Sequence, residues 1–306
     1  MNGGRVAVLL GASFALAACA AAPRWQDDVG IALRQARDAG QELVVFFALP
    51  GREASDRMQQ SLGDPQILSA LGEGGFAAVV VDGNVRKNLY GTWVGGGEGM
   101  GIAVLGTDGQ CYAARPGPQD PPELAAFLLL CAATRAELAS LRAKAASAEA
   151  SPLDQHALGC AYLTLGCRKE SEPLLLAAAG AGVADARHRL ARLFALDGNL
   201  MAARRWLQLA PKTPQAQVTE GYVLFKERKH AEAAKVLDAA LATGQLGLER
   251  QRALLYLGKA LHEDKQDERA VPLLEALAAE GTGSTFEAAA LHTLGHIKNP
   301  QHGHTH

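Results

Sequence analysis

The sequence predicts an α/β domain followed by an all-α domain of helical repeats. Three observations carry that expectation. Up to about residue 135, continuous apolar runs rich in β-branched and aromatic residues alternate with stretches of helical periodicity. Beyond it, alanine and leucine dominate, both strong helix formers. Small residues at 159, 191, 221, 258 and 295 then recur at spacings of 32, 30, 37 and 37. A chain of 306 residues is long enough for two cores, and 48% hydrophobic content with a net charge of −2 excludes extended disorder. The same balance offers no electrostatic pull on nucleic acid or on an anionic membrane surface.

The N-terminus reads as an address. Met1 to Arg5 carry one positive charge, Val6 to Leu16 form an uncharged apolar run, and Ala17, Ala18 and Cys19 follow. Eleven apolar residues suit the core of an export signal and are too short to span ~30 Å of hydrocarbon. Leu16-Ala17-Ala18-Cys19 resembles a bacterial lipoprotein signal. The resemblance implies a signal peptide over 1–18, removed by cleavage, and fatty acylation of Cys19. A lipidated linker over 19–24 would then hold the protein at a membrane. Ala20, rather than an aspartate, points to the outer membrane facing the periplasm. In that oxidising setting Cys111, Cys131, Cys160 and Cys167 are either buried thiols or bridged, and no CxxC occurs.

Within 25–135, Val29, Ala32, Leu33 and Ala36 form one helical stripe that Gly40 ends. Glu42 to Leu49 reads as a strand buried on both faces, and Phe76 to Asp82 as its parallel neighbour. Between them lies a polar helical stretch that Asp64-Pro65 divides. Thr107-Asp108-Gly109 marks a hairpin between Gly101–Leu105 and Gln110–Ala114, and Pro121-Pro122-Glu123 opens an apolar helix. This order, with Trp25, Asp28 and the run Leu43 to Ala48, resembles the thioredoxin-like domains of periplasmic thiol-disulfide transfer proteins. The resemblance implies a CxxC at a helix start and a proline loop before the hairpin. Neither is present. The cysteine positions fall on Gly51 and Ala54 in one register, on Arg52 and Ser55 in the other, and Met100 stands at the proline position. Thiol exchange needs a thiolate, which none of these residues supplies.

Ser55 is the one hydroxyl nucleophile in this degenerate site, but no histidine precedes His156, so any base would come from the second domain. The expected alternative is a solvated first helical turn whose acids favour the helix dipole. The glycine loop 95–101 has neither a G-x-G-x-x-G nor a Gly-Lys-Ser/Thr, so no nucleotide or other cofactor is implied.

From 136 to 298, each small residue except the last is followed twelve residues later by Ser171, Ala203, Ala233 or Ala270, and then by Leu175, Leu207, Leu237 or Leu274. This resembles the tetratricopeptide repeat, a pair of antiparallel helices in which small residues sit where the pair crosses. A generic array of helical hairpins is the alternative. The resemblance implies a concave groove lined by first helices, with His188, Arg192, Tyr222, Phe225, Lys226, Lys259 and His262 facing an extended acidic or carboxylate-bearing peptide. Ordinary solvated helix faces are the competing expectation. A His-rich tail occupies 299–306; His292 and His296, with His302, His304 and His306, are weak metal-ligand candidates for which the sequence offers no nearby acidic or thiol partner.

The expected function is that of a non-catalytic interaction scaffold at the envelope membrane, with other envelope proteins or peptides as partners. The alternatives are a divergent thiol-disulfide oxidoreductase or chaperone of envelope proteins, using an unconventional cysteine such as Cys111, and a metal-binding protein using the histidine tail.

Overall fold

A computed structural model describes residues 25–96 and 99–299. The expected signal, Cys19, the expected linker and the tail histidines His302, His304 and His306 lie outside the described residues, as do positions 97 and 98 of the glycine loop.

The N-terminal part is a mixed five-stranded sheet with helices. Its elements are β1 (Trp25–Gln26), α1 (Val29–Asp38), β2 (Glu42–Ala48), α2 (Glu53–Ser61), α3 (Pro65–Gly74), β3 (Phe76–Asp82), α4 (Lys87–Trp93), β4 (Gly101–Leu105), β5 (Cys111–Pro116) and α5 (Pro121–Ala145). The strand order is β1-β3-β2-β4-β5. β2 pairs in parallel with β3, Val44 opposite Ala78, and antiparallel with β4, Val44 opposite Val104. Every residue of β2 is buried, as its unbroken apolar run requires of a central strand covered on both faces. Local chemistry sets the helix starts. Asp28 and Asp64 accept hydrogen bonds from the backbone N–H of Ile31 and Gln66, and Pro65 occupies the first turn of α3. β1 and α4 go beyond the expected elements. β1 is two residues long, and α4 buries only Tyr90, so neither leaves a periodic signal.

Inside this domain, Glu42 at the start of β2 is buried and accepts hydrogen bonds from the Tyr112 hydroxyl (2.6 Å) and Arg135 (2.7 Å). Arg135 also donates to the Gly74 carbonyl, which ties α5 to the sheet and to the end of α3. Burial, with the Glu42 contact adding to it, pushes the Tyr112 phenol far above its ordinary range.

The rest of the chain is helical: α6 (Pro152–Leu165), α7 (Arg168–Gly180), α8 (Asp185–Leu196), α9 (Leu200–Leu209), α10 (Pro214–Lys226), α11 (His230–Ala242), α12 (Arg250–Glu263), α13 (Asp267–Glu280) and α14 (Thr285–Lys298). These helices pack as the hairpins α6–α7, α8–α9, α10–α11 and α12–α13, with successive first helices side by side. The recurring small residues sit at the crossings. A Cβ added to Gly221 would lie 2.4 Å from the Leu237 side chain, and one on Gly258 would lie 2.6 Å from Leu274. Gly159 meets Leu175 at 3.0 Å, and the Ser171 hydroxyl donates to the Gly159 carbonyl across the same crossing. The longer spacing from 221 to 258 accommodates a 3-10 turn at Gly247–Glu249.

α5 is continuous across the expected boundary at 135/136 and belongs to both parts. By length and composition it is apolar enough to cross a membrane. In the fold it packs against α3, α6 and α14, as a core helix does. The last helix, α14, thus returns to the helix from which the array departs, and α5 lies where an unobstructed groove was expected.

Candidate functional site

The positions at which the resemblance leads one to expect a cysteine pair carry no sulfur. Gly51 turns the chain with φ +81°, Arg52 precedes α2 as its N-cap residue, and Ala54 is half-buried in the first turn. Ser55 is fully buried, and its Oγ accepts the Leu49 N–H at 2.7 Å. The expected solvated turn is therefore wrong for Ser55: its hydroxyl satisfies the orphan backbone donor at the end of the β2 segment and is sealed from solvent. Met100 is buried ahead of β4, and its carbonyl accepts from the Tyr90 hydroxyl (3.1 Å) and the Gly117 N–H (2.9 Å).

The cysteines Cys111, Cys131, Cys160 and Cys167 are free thiols. α6 ends between Cys160 and Cys167 and sends them to different neighbours. Cys167, at the start of α7, lies 3.6 Å (Sγ–Sγ) from Cys111 on β5. Both are buried, at 2% and 7% exposure, so the pair faces no open cleft. The Cys111 contact, and then burial, push the Cys167 thiol far above its ordinary range; burial does the same to Cys131. A thiolate for exchange is disfavoured at these positions.

A cavity of about 760 Å³ opens between β5 and α5 on one side and the first helices of the hairpins on the other. Arg115, Arg168, Arg192, Lys226 and Arg252 line it, against the single carboxylate of Glu123. Its apolar wall includes Tyr222 and Tyr256, whose ring centroids are 4.5 Å apart, together with Phe286 and leucines from α5. Two of the cations are already engaged: Arg168 pairs with Asp197 at 2.9 Å and Arg252 with Glu249. Arg115 instead lies over the Phe127 ring at 4.6 Å, and burial lowers its guanidinium pKa, with Arg192 contributing repulsion. The Nε of Arg192 is buried without a hydrogen-bond partner. Among the described residues, Arg115, Arg192 and Lys226 have no carboxylate within ion-pair distance. Arg115 and Arg192 are half-buried cations in a lining whose one carboxylate is Glu123, an arrangement that a bound anion relieves.

Of the seven expected groove residues, Arg192, Tyr222 and Lys226 line this cavity. The others do not. His188 is 1% exposed beneath the helix face, and Phe225 stacks among His230 and Tyr256. His262 Nδ1 bonds Asp267 at 2.6 Å, and Lys259 is half-buried outside the lining. Arg115, Arg252, Tyr256 and Phe286 went unforeseen, because nothing in the repeat pattern indicates that β5 and α5 enter the array.

His292 and His296 do meet, with Nε2 atoms 3.0 Å apart. The expectation that no acid is nearby is corrected: His292 Nδ1 bonds Asp120, which precedes α5, and donor atoms of Asp120, Glu123 and His292 lie within 4.8 Å of one another. Asp120, just ahead of α5, lies 172 residues from His292 in sequence, beyond the reach of local spacing.

Neither the protein-family models nor the curated proteins contain a match to this chain.

Proposed function

We propose that this protein is a non-catalytic binding protein of the bacterial envelope, anchored through lipid on Cys19. In this reading a thioredoxin-like domain that has lost its thiol pair is fused to tetratricopeptide-type repeats. The cavity between them receives an acidic segment of a partner envelope protein. The observation that carries the reading is the set of unpaired cations, Arg115, Arg192 and Lys226, over an aromatic wall. A glutamate- or aspartate-rich peptide matches it, since carboxylates pair with arginine and the intervening chain covers the apolar wall. The sulfur-free positions Gly51, Arg52, Ala54 and Ser55 argue against exchange chemistry.

The test is crosslinking and pulldown from native membranes, comparing the parent chain with an Arg192→Ala/Lys226→Ala variant and a Lys259→Ala/His262→Ala control. Loss of acidic partners in the first variant alone is expected. Retention of every partner by that variant would remove the cavity from the function. The oxidoreductase alternative draws on one observation, the proximity of Cys111 and Cys167. Dithiothreitol-driven insulin reduction that Cys111→Ser abolishes would replace the scaffold reading with it.

A further inference from the structure

Away from the cavity lining, three donor side chains of α6 and α8 converge, and a fourth lies against one of them. His156 and Cys160 sit four residues apart on α6, and Asp185 and His188 three apart on α8, so each pair shares a helix face. His156 Nε2 lies 3.1 Å from Asp185 Oδ2 and 3.4 Å from Cys160 Sγ. One donor atom from each of the three falls within 4.8 Å of the others. Zinc–nitrogen and zinc–oxygen bonds of ~2.0–2.1 Å and a zinc–sulfur bond of ~2.3 Å, at tetrahedral angles, separate N and O ligands by ~3.3 Å and S and N ligands by ~3.6 Å. The His156–Asp185 and His156–Cys160 separations match those edges to within about 0.2 Å.

A second observation points to the same place. His188 is 1% exposed, neither ring nitrogen has a hydrogen-bond partner, and its Nδ1 is 3.3 Å from Asp185 Oδ1. A buried imidazole with two idle nitrogens, in contact with one of three converging donors, is in reach of a fourth coordination position by a side-chain rotation. We propose that His156, Cys160 and Asp185 form a zinc site that clamps α6 to α8, with His188 turning in as the fourth ligand. Thiolate, imidazole and carboxylate together suit zinc rather than calcium or magnesium, and two anionic ligands balance the ion's charge. Arg189 is drawn off by Glu249 at 2.5 Å and contacts Asp185 Oδ2 at 3.3 Å, where it orients the carboxylate. Binding displaces the Cys160 thiol proton and the proton shared at His156 Nε2 to solvent, with no change of oxidation state.

The experiment uses the reduced full chain, stripped with chelator, carrying His302→Ala, His304→Ala and His306→Ala so that the tail contributes no ligand. Cobalt is expected to bind at one equivalent with a thiolate-to-cobalt charge-transfer band, which zinc then displaces. Cys160→Ser abolishes the band and weakens zinc binding by ~100-fold, and His188→Asn weakens it by ~10-fold or more. A parallel measurement needs no folded variant: zinc slows iodoacetamide alkylation of Cys160, the half-buried cysteine, on the otherwise unmutated chain. An alkylation rate unchanged by zinc, or the absence of the cobalt band, overturns the proposal. Full zinc affinity in His188→Asn removes His188 from the site.

Discussion

At the scale of single residues, burial and hydrogen bonding decide what each side chain does. Ser55 stands at one of the two positions where the sequence resemblance would expect a cysteine, yet its hydroxyl closes a backbone account: it accepts the Leu49 N–H. Ser55→Ala leaves that buried donor unpaired, so a loss of ~1–3 kcal/mol in urea unfolding is expected. A null effect would mean that Leu49 finds another acceptor. The glycines of the array divide by the same logic. Gly221→Ala gains up to ~1 kcal/mol of helix propensity but drives a methyl to 2.4 Å from Leu237, and overpacking costs ~1–3 kcal/mol, so the net change is destabilising. Gly295, at the equivalent position in α14, meets nothing within 4 Å, and Gly295→Ala is expected to stabilise by up to ~1 kcal/mol. Opposite signs for the two substitutions in one series of melts is the checkable outcome.

At the scale of elements, the turn inside each hairpin repeats a single design. Gly166, Gly198, Arg228 and Lys265 each take positive φ, and the N–H of the next residue reaches back to the carbonyl five positions earlier, as in Cys167 to Tyr162 and Gln266 to Leu261. Each of these turn residues follows the crossing residue by seven positions. Two hairpins place a non-glycine there, at φ 61° and 62°, which costs ~1–2 kcal/mol against the ~0.5–1 kcal/mol that glycine loses in entropy. Lys265→Gly is therefore expected to raise stability by ~0.5–1 kcal/mol; a lower unfolding midpoint would mean that the lysine side chain supplies a compensating contact. The same comparison separates what was legible in the sequence from what was not. β2 and β3 were legible because continuous apolar runs flanked by Gly40, Asp64-Pro65 and Gly83 admit few alternatives, and the hairpins because Gly221 and Leu237 repeat at a fixed separation. The turn positions were hidden behind Arg228 and Lys265. The cavity was hidden because Arg115 and Arg192 are 77 residues apart in the chain, and only the docking of α5 into the array brings them together. His188 was misplaced for a related reason: helical phase gives the face of a residue, whereas Asp185 and the neighbouring α6 decide whether that face is covered.

At the scale of the whole molecule, the array returns to its start where α14 packs against α5, and an ionic clasp, His292 of α14 against Asp120 at the mouth of α5, adds to that contact. Covalent order alone would leave α14 as a free end, since no following helix among the described residues pairs with it. The contact adjoins the cavity, whose wall includes Phe286 of α14, Ser284 just before it and Glu123 of α5. Asp120 holds the His292 imidazolium, with Glu123 adding to it and burial and Lys259 opposing, so that its pKa lies above the ordinary value near 6.5. A pKa raised by folding contributes stability that is complete below about 6.5 and disappears as pH rises through the folded value. With both partners partly in solvent, the contribution is ~0.5–1 kcal/mol. The measurement is urea unfolding of the parent and of His292→Gln, in chelator, at a mildly acidic and a mildly alkaline pH. The parent is expected to exceed the variant at the acidic point and to converge with it at the alkaline one, while groups common to both, such as His156, cancel in the difference. Binding of an acidic peptide supplies the link to function. If the clasp sets the aperture, His292→Gln loses affinity at the acidic pH, where the parent is clasped, and matches the parent where the parent is already open. Equal affinity of the two proteins at every pH would show that α5 and α14 hold their spacing by apolar packing alone.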